Sequence, residues 1–256
     1  MPEMLSETEL KDFLDKKVIQ YNTPLFIETD PIQIPHMFSK TEDVEIAAFL
    51  TSTIAWGKRS IIIRNALKLM QLMDNEPYNF IMNAGRSDLK SITGFRHRTF
   101  NGDDLTFYLK NLRHIYTHNG GLNGVFQDNY VDIRTSLVNF RKIFLSTVHQ
   151  VHVEKHVPDV LKNSAAKRLN LFLMWMVRKD KAGVHFGIWD KISLSELKLP
   201  LDVHTANVGR KLGILGRRQN DWLAVEEITQ QLSKFDPKDP VKYDFALFGL
   251  GVFENF

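Results

Sequence analysis

The sequence predicts an all-α fold, and three observations predict it. Apolar residues recur at helical spacing through most of the chain, and prolines, glycines and capping residues punctuate these stretches. Strand signals are scarce: the β-branched run Ile61 to Ile63 lies inside a longer helical period.

In order along the chain, Ser6 followed by Glu9 forms a capping box, and Leu10, Phe13, Leu14 and Val18 then recur at helical spacing, giving a first helix over about 6–20. Pro24, Pro31 and Pro35 make the stretch to Met37 an irregular connector. Asp43 to Met73 reads as helical, with Ala47, Phe49, Leu50, Ile54 and Leu67 at apolar positions and Gly57 interrupting it. Gly85 to Asp104 reads as loop, with Asp103 or Asp104 capping a helix that runs to about His118. Gly120, Gly121 and Gly124 break the chain again. Helical patterns follow near 125–155, 164–179, 204–215, 221–234 and 240–250, with Pro158, Pro200, Pro237 and Pro240 between them. No repeat or flexible linker is evident, so the sequence marks no domain boundary.

A chain of 256 residues can bury a core without staples, and 43% hydrophobic with 25% charged residues excludes disorder and low-complexity architecture. The absence of cysteine removes disulfides, thiolate nucleophiles, cysteine zinc sites and cysteine-held iron–sulfur clusters. The N-terminal stretch MPEMLSETELKDFLDKK carries charge where a signal peptide needs an apolar core. No apolar run approaches about 18 residues, so a cytoplasmic protein without a membrane partner is expected. The net charge is only +3, but segment 155–218 holds 13 basic and 5 acidic residues. This face either meets a phosphate backbone or is a solvated basic surface. No GxGxxG, P-loop, nucleophile elbow or HExxH motif occurs, which leaves nucleotide cofactors, kinase, serine hydrolase and zincin chemistry without motif support. No cofactor is expected.

The chemistry concentrates where Leu199-Pro200-Leu201-Asp202-Val203-His204-Thr205 joins a proline-containing loop to a helix, with Asp202 at the N-cap. Backbone N–H groups and the positive end of the helix dipole favour a carboxylate there, where it either simply caps the helix or also stabilises a developing cation. Val208, Leu212 and Leu215 make an apolar stripe, while His204, Asn207 and Lys211 fall on another face beside Arg210.

The string Pro200-Leu201-Asp202-Val203-His204, continued by Val208 and Lys211-Leu212-Gly213-Ile214, resembles the helix after the hairpin in the helix-hairpin-helix (HhH-GPD) DNA glycosylases. The resemblance implies a two-lobed all-α fold in which the N-terminal helix and the C-terminal helices form one lobe and about 40–200 the other. It implies that Asp202 is the catalytic carboxylate and that His204 lies toward the DNA backbone, with Arg210 and Lys211 as further DNA contacts. Phe49-Leu50-Thr51-Ser52-Thr53-Ile54, followed by Trp56, is similar to the family's early helix beside the lesion pocket, which implies a base pocket that includes Thr53 and Trp56. The chain departs from the family in two respects: the early helix lacks the family's glutamines, so the reading of a particular base is not implied, and the chain lacks an L-P-G-V-G hairpin with its following lysine, which Gly183 to Gly187 do not reproduce. Over its whole length the chain resembles an uncharacterised bacterial family that shares Lys167-Arg168-Leu169-Asn170 and Asp239-Pro240-Val241-Lys242-Tyr243-Asp244.

Lys167 is the amine candidate. Helix 164–179 buries Leu169, Phe172, Leu173 and Met176 by spacing, leaving Lys167, Asn170, Met174 and Arg178 on another face, where Lys167 either enters a cleft or is exposed. A neutral amine there attacks an anomeric carbon to form a Schiff base. Gly94-Phe95-Arg96-His97-Arg98-Thr99-Phe100 interleaves aromatic and basic residues. Arg96 and Arg98 suit phosphates, and Phe95 either stacks on a base or anchors the loop to the core. His149, His152 and His156 share one face in a helix, but no carboxylate has the matching spacing, so no metal site is expected. These readings together predict a base-excision glycosylase acting on a damaged, flipped-out base in duplex DNA, with oxidised guanine as the substrate the resemblance suggests. The alternative is a noncatalytic nucleic-acid-binding module on the same fold.

Overall fold

In the computed structural model of the protein, which describes residues 5–256, helix accounts for 66% of the chain and strand for 2%, so the fold is all-α. Helix α1 (Glu7–Tyr21) starts at the Ser6 and Glu9 capping box read from the sequence. The proline-rich connector is more ordered than its prolines suggest: it holds α2 (Pro24–Thr29) and two 3-10 turns that begin at Pro31 and Pro35. Proline at a first helical position loses no intrahelical hydrogen bond, so the same residues that end a helix can start a short one. Helices α3 (Thr41–Thr53) and α4 (Arg59–Leu72) are separated at Gly57, whose φ of 107° only glycine adopts readily.

Helix α5 (Pro77–Asn83) is followed by the segment expected to be loop, which instead contains α6 (Arg86–Ser91) and a small hairpin of β1 (Arg96–His97) and β2 (Phe100–Asn101). Elements of so few residues leave no periodicity in a sequence window. The cap of α7 (Gly102–His118) is Asn101, whose side chain accepts from the amides of Asp103 and Asp104, while Asp104 closes the box by accepting from the Asn101 amide. The pattern over 125–155 breaks into α8 (Gly121–Gln127), α9 (Ile133–Phe144) and a 3-10 stretch over Val151–His156. After these come α10 (Lys167–Val177), α11 (Val203–Lys211), α12 (Trp222–Phe235) and α13 (Asp244–Phe253). No helix among the described residues is long and apolar enough to cross a membrane.

The chain divides into two compact units, one of Met1–Phe26 with Val160–Phe256 and the other of Ile27–Asp159. Residues 160–200, grouped with the central part in the sequence reading, therefore join the unit of the termini. Local pairing accounts for it: Ser164 bridges to Asp221, the Trp222 amide donates to the Asn163 carbonyl at 3.2 Å, and Leu199 and Leu201 enter that unit's apolar cluster. The cluster joins Leu10, Leu14 and Val18 of α1 to Val208, Ile228, Leu232, Leu247 and Leu250. In the central unit the core is aromatic: Phe49 contacts Tyr108, Phe140 and Phe144, and Phe126 stacks on Phe140 at 4.7 Å.

Just beyond α10, the buried Arg178 guanidinium bonds Asp239 through Nε at 3.0 Å, pairs with Asp180 at 2.8 Å and meets His185 Nδ1 at 3.2 Å. Burial pushes the Asp180 carboxyl up, but the Asn22 amide and the Arg178 charge outweigh it and hold that group below the ordinary carboxylate range. Asp15 and Asp236 behave alike: burial opposes ionisation, and Lys11, Tyr243 and Lys242 around Asp15, with Lys242 and two backbone amides at Asp236, reverse it.

Two outcomes follow. Arg178→Met should cost about 3–5 kcal/mol in urea unfolding, because it strands two acidic partners. Carboxyls with folded pKa values depressed below 3.8 contribute stability that is present above that value and lost as pH falls through their folded values. Unfolding free energy should thus drop between about pH 4 and about pH 2, less steeply in an Asp15→Asn/Asp236→Asn variant.

Candidate functional site

Asp202 sits where the extended chain enters α11. Its backbone is non-helical, with φ −106° and ψ −176°, and Oδ1 accepts the Thr205 amide at 2.8 Å. This N-cap arrangement satisfies one of the helix's orphan donors and leaves the second carboxylate oxygen turned elsewhere. That oxygen, Oδ2, lies 3.5 Å from Nζ of Lys167, the first residue of α10. Two helix starts therefore bring together the two residues singled out for catalysis, Asp202 with a side chain 14% exposed and Lys167 with one 32% exposed. The carboxylate is held and the amine remains accessible.

Behind the pair, α11 packs Ala206 and Val208 into the apolar cluster, and Gly251 of α13 lets the α11 backbone approach closely beside His204. On α10 the face expected to carry Lys167, Asn170, Met174 and Arg178 is open only at its first residue, since the other three are buried. Two buried polar atoms near the helix starts have no hydrogen-bond partner: Oδ1 of Asn170 and Oγ1 of Thr205. The turn into α10 is also unusual. Ala166, its N-cap, has φ 47° and ψ 31°, left-handed values that cost an L-residue about 1 kcal/mol.

Of the expected DNA contacts, His204 and Lys211 are exposed on α11. Arg210 is half-buried and engaged locally: Nε donates to the Arg217 carbonyl at 2.9 Å, and its Nη2 bonds the Arg218 carbonyl and Asn220, so the guanidinium ties down the loop over 217–220. Arg217 is likewise paired with Asp221, the N-cap of α12. The exposed basic residues of this unit include Lys162, Lys179, Lys181, Lys191 and Arg218. Residues 178–202 contain one 3-10 turn, Leu194–Glu196, and no hairpin joins α10 directly to α11.

The remaining candidates belong to the central unit. Arg96 and Arg98 are exposed on the hairpin. Phe95 is not a base-stacking side chain: it is 1% exposed and packs edge-on against Phe100. The hairpin explains this: Phe95 and His97, two residues apart, turn inward, as does Phe100 directly opposite His97 on the other strand, while Arg96 and Arg98 turn out. Thr53 ends α3 and is buried. Trp56 is half-buried, edge-on to His97 at 4.8 Å, and His97 Nε2 lies 3.1 Å from the Trp56 carbonyl oxygen.

The histidines near 149–156 do not share an α-helical face, because His149 lies in irregular chain and His152 and His156 in a 3-10 stretch. Instead His152 and His156 flank a fully buried carboxylate, with Nε2 of His152 3.1 Å from Asp104 Oδ1 and Nε2 of His156 3.3 Å from Oδ2. His149 turns away to the Thr147 carbonyl and Glu154. The acidic partner comes from α7, far along the chain, so histidine spacing alone does not reveal it. Among the described residues no His, Asp and Glu group is arranged to hold a metal ion.

Cap and ion pair differ in their expected weight. Asp202→Ala should cost about 1 kcal/mol in urea unfolding and Asp202→Asn, which keeps a capping oxygen, markedly less. Lys167→Gln should change stability by under about 1 kcal/mol, since a third of the lysine side chain is open to water.

A search of curated proteins finds no match to this chain, and neither does a search of solved structures. A family profile does match, over residues 30–253, which include both members of the Lys167 and Asp202 pair. The chain belongs to the family described as "Protein of unknown function (DUF2400)".

Proposed function

We propose that this protein is a DNA glycosylase-like base-excision enzyme that cleaves the N-glycosidic bond of a damaged base flipped out of duplex DNA. The observation that carries the reading is the 3.5 Å approach of Lys167 Nζ to Asp202 Oδ2 at two helix starts. A base inside the stack is out of reach, so extrusion precedes chemistry. As the bond from C1′ to the base breaks, its electron pair leaves with the base and positive charge accumulates on the sugar. Asp202, held by the Thr205 amide, stabilises that charge. In its neutral form the Lys167 amine forms a bond to C1′ and loses a proton to Asp202 or solvent; the C1′–O4′ bond then breaks as the nitrogen lone pair forms the protonated imine, and O4′ keeps the bonding pair and takes a proton from solvent. The exposed lysines of the same unit supply sequence-independent attraction to phosphates, which weakens as salt rises.

The lack of a hairpin between α10 and α11 favours a second reading, a nucleic-acid-binding module without chemistry in which Lys167 and Asp202 are only an ion pair. Borohydride reduction separates the two. Purified protein incubated with duplexes bearing oxidised guanine, and with a panel of other lesions, should give a covalent adduct that Lys167→Gln abolishes and Asp202→Asn slows about a hundredfold or more. Salt-sensitive duplex binding with neither adduct nor abasic product on any lesion would replace this reading with the binding module.

A further inference from the structure

We propose that Asn170 is a positioning residue for Lys167: its side-chain amide holds the left-handed turn that aims the lysine at Asp202. The catalytic role of Lys167 rests on the reading above, but the geometry at issue does not.

The turn needs holding. The chain reverses over 163–166 through two non-glycine residues with positive φ, Asn163 at 64° and Ala166 at 47°. Such conformations persist where the surroundings over-determine them. On the outer side, Asn163 is fixed by Nδ2 donating to Asp221 Oδ2 at 2.8 Å and by its carbonyl accepting the Trp222 amide. On the inner side, the Ala166 amide reaches Ser164 Oγ at 3.3 Å, and Asn170 Nδ2 donates to the Ala165 carbonyl at 3.1 Å. Alanine has no capping side chain, so the turn at 165–166 takes its side-chain support from Ser164, whose bond is the longer, and from Asn170 one turn further along α10.

Asn170 is an expensive choice for that place. Asparagine is a mediocre helix former, it is 1% exposed here, and its Oδ1 has no hydrogen-bond partner. A buried leucine would pack without an unpaired oxygen but could not grip the Ala165 carbonyl. Every atom of the grip lies within five residues of Lys167, whose direction is set by the φ and ψ of the residue before it. Releasing Ala166 to an ordinary conformation would swing the start of α10 away from Asp202.

Zero-length carbodiimide coupling reads the distance without substrate. The reagent activates the Asp202 carboxyl, Lys167 Nζ displaces the urea, and an amide remains that peptide mass mapping detects. The pair of Lys17 and Glu254, 2.6 Å apart, is the internal standard. In the 256-residue chain, Asn170→Ala should lower the Lys167 to Asp202 yield about fivefold with the Lys17 to Glu254 yield unchanged. General loosening of the fold would lower both. Ala166→Gly adopts the left-handed turn without strain, so in the Asn170→Ala background it should restore most of the yield. An amide yield unaffected by Asn170→Ala, a parallel loss at both pairs, or no rescue by Ala166→Gly would overturn the proposal. An Asn170-dependent amide in a protein that gives no borohydride adduct would remove the glycosylase reading and leave the positioning role standing.

Discussion

The unit that carries Asp202 and Lys167 depends on one apolar cluster, in which α1 from the start of the chain packs with α11, α12 and α13 from its end. Each fully buried leucine or isoleucine in it contributes about 1.5–3 kcal/mol, and closing so long a loop costs little more than closing a short one. The cluster therefore draws the two ends of the sequence together and makes Val208 and Ala206 the inward face of α11. Once that face is chosen, Asp202 at the N-cap has only a narrow range of directions left. Its cap bond to Thr205 removes most of the remainder.

Around this cluster, polar groups are spent on geometry rather than on net stability. Arg178 gathers Asp180, Asp239 and His185 just past α10, and Arg210 ties the loop over 217–220 to α11. Buried charges of this kind add little over well-packed apolar side chains, but their directional bonds permit few alternative arrangements. The left-handed residues before Lys167 sit between such anchors, with Asp221 on one side and Asn170 on the other.

The fate of the basic residues shows the same principle. Counted in sequence they suggest a broad cationic face, yet Arg178 is buried among carboxylates, Arg217 pairs with Asp221 and Arg210 bonds carbonyls. The positive surface that remains is carried chiefly by lysines, whose flexible, strongly hydrated heads suit contact with a phosphate backbone without sequence readout. In the central unit the hairpin places Arg96 and Arg98 outward on the same terms, while Phe95 serves the core.

Helix type, the capping box of α1, the break at Gly57 and the cap role of Asp202 were legible in the sequence, because each is a local effect of periodicity, glycine freedom or a side chain bonding an amide three residues on. The hairpin at 96–101 and the cap at Asn101 were not, since two-residue strands carry no measurable period. Nor was Asp104 between His152 and His156, or the closing of Arg210 onto its own loop. The sequence by itself determined helix as the structural type, the starts of helices capped by Ser6 and Asp202, and the apolar stripe that α1 buries. Only the tertiary structure decided that Lys167 meets Asp202 and that Asp104 meets His152 and His156: contacts between residues distant in sequence depend on how apolar faces pack, and no local signal records that packing.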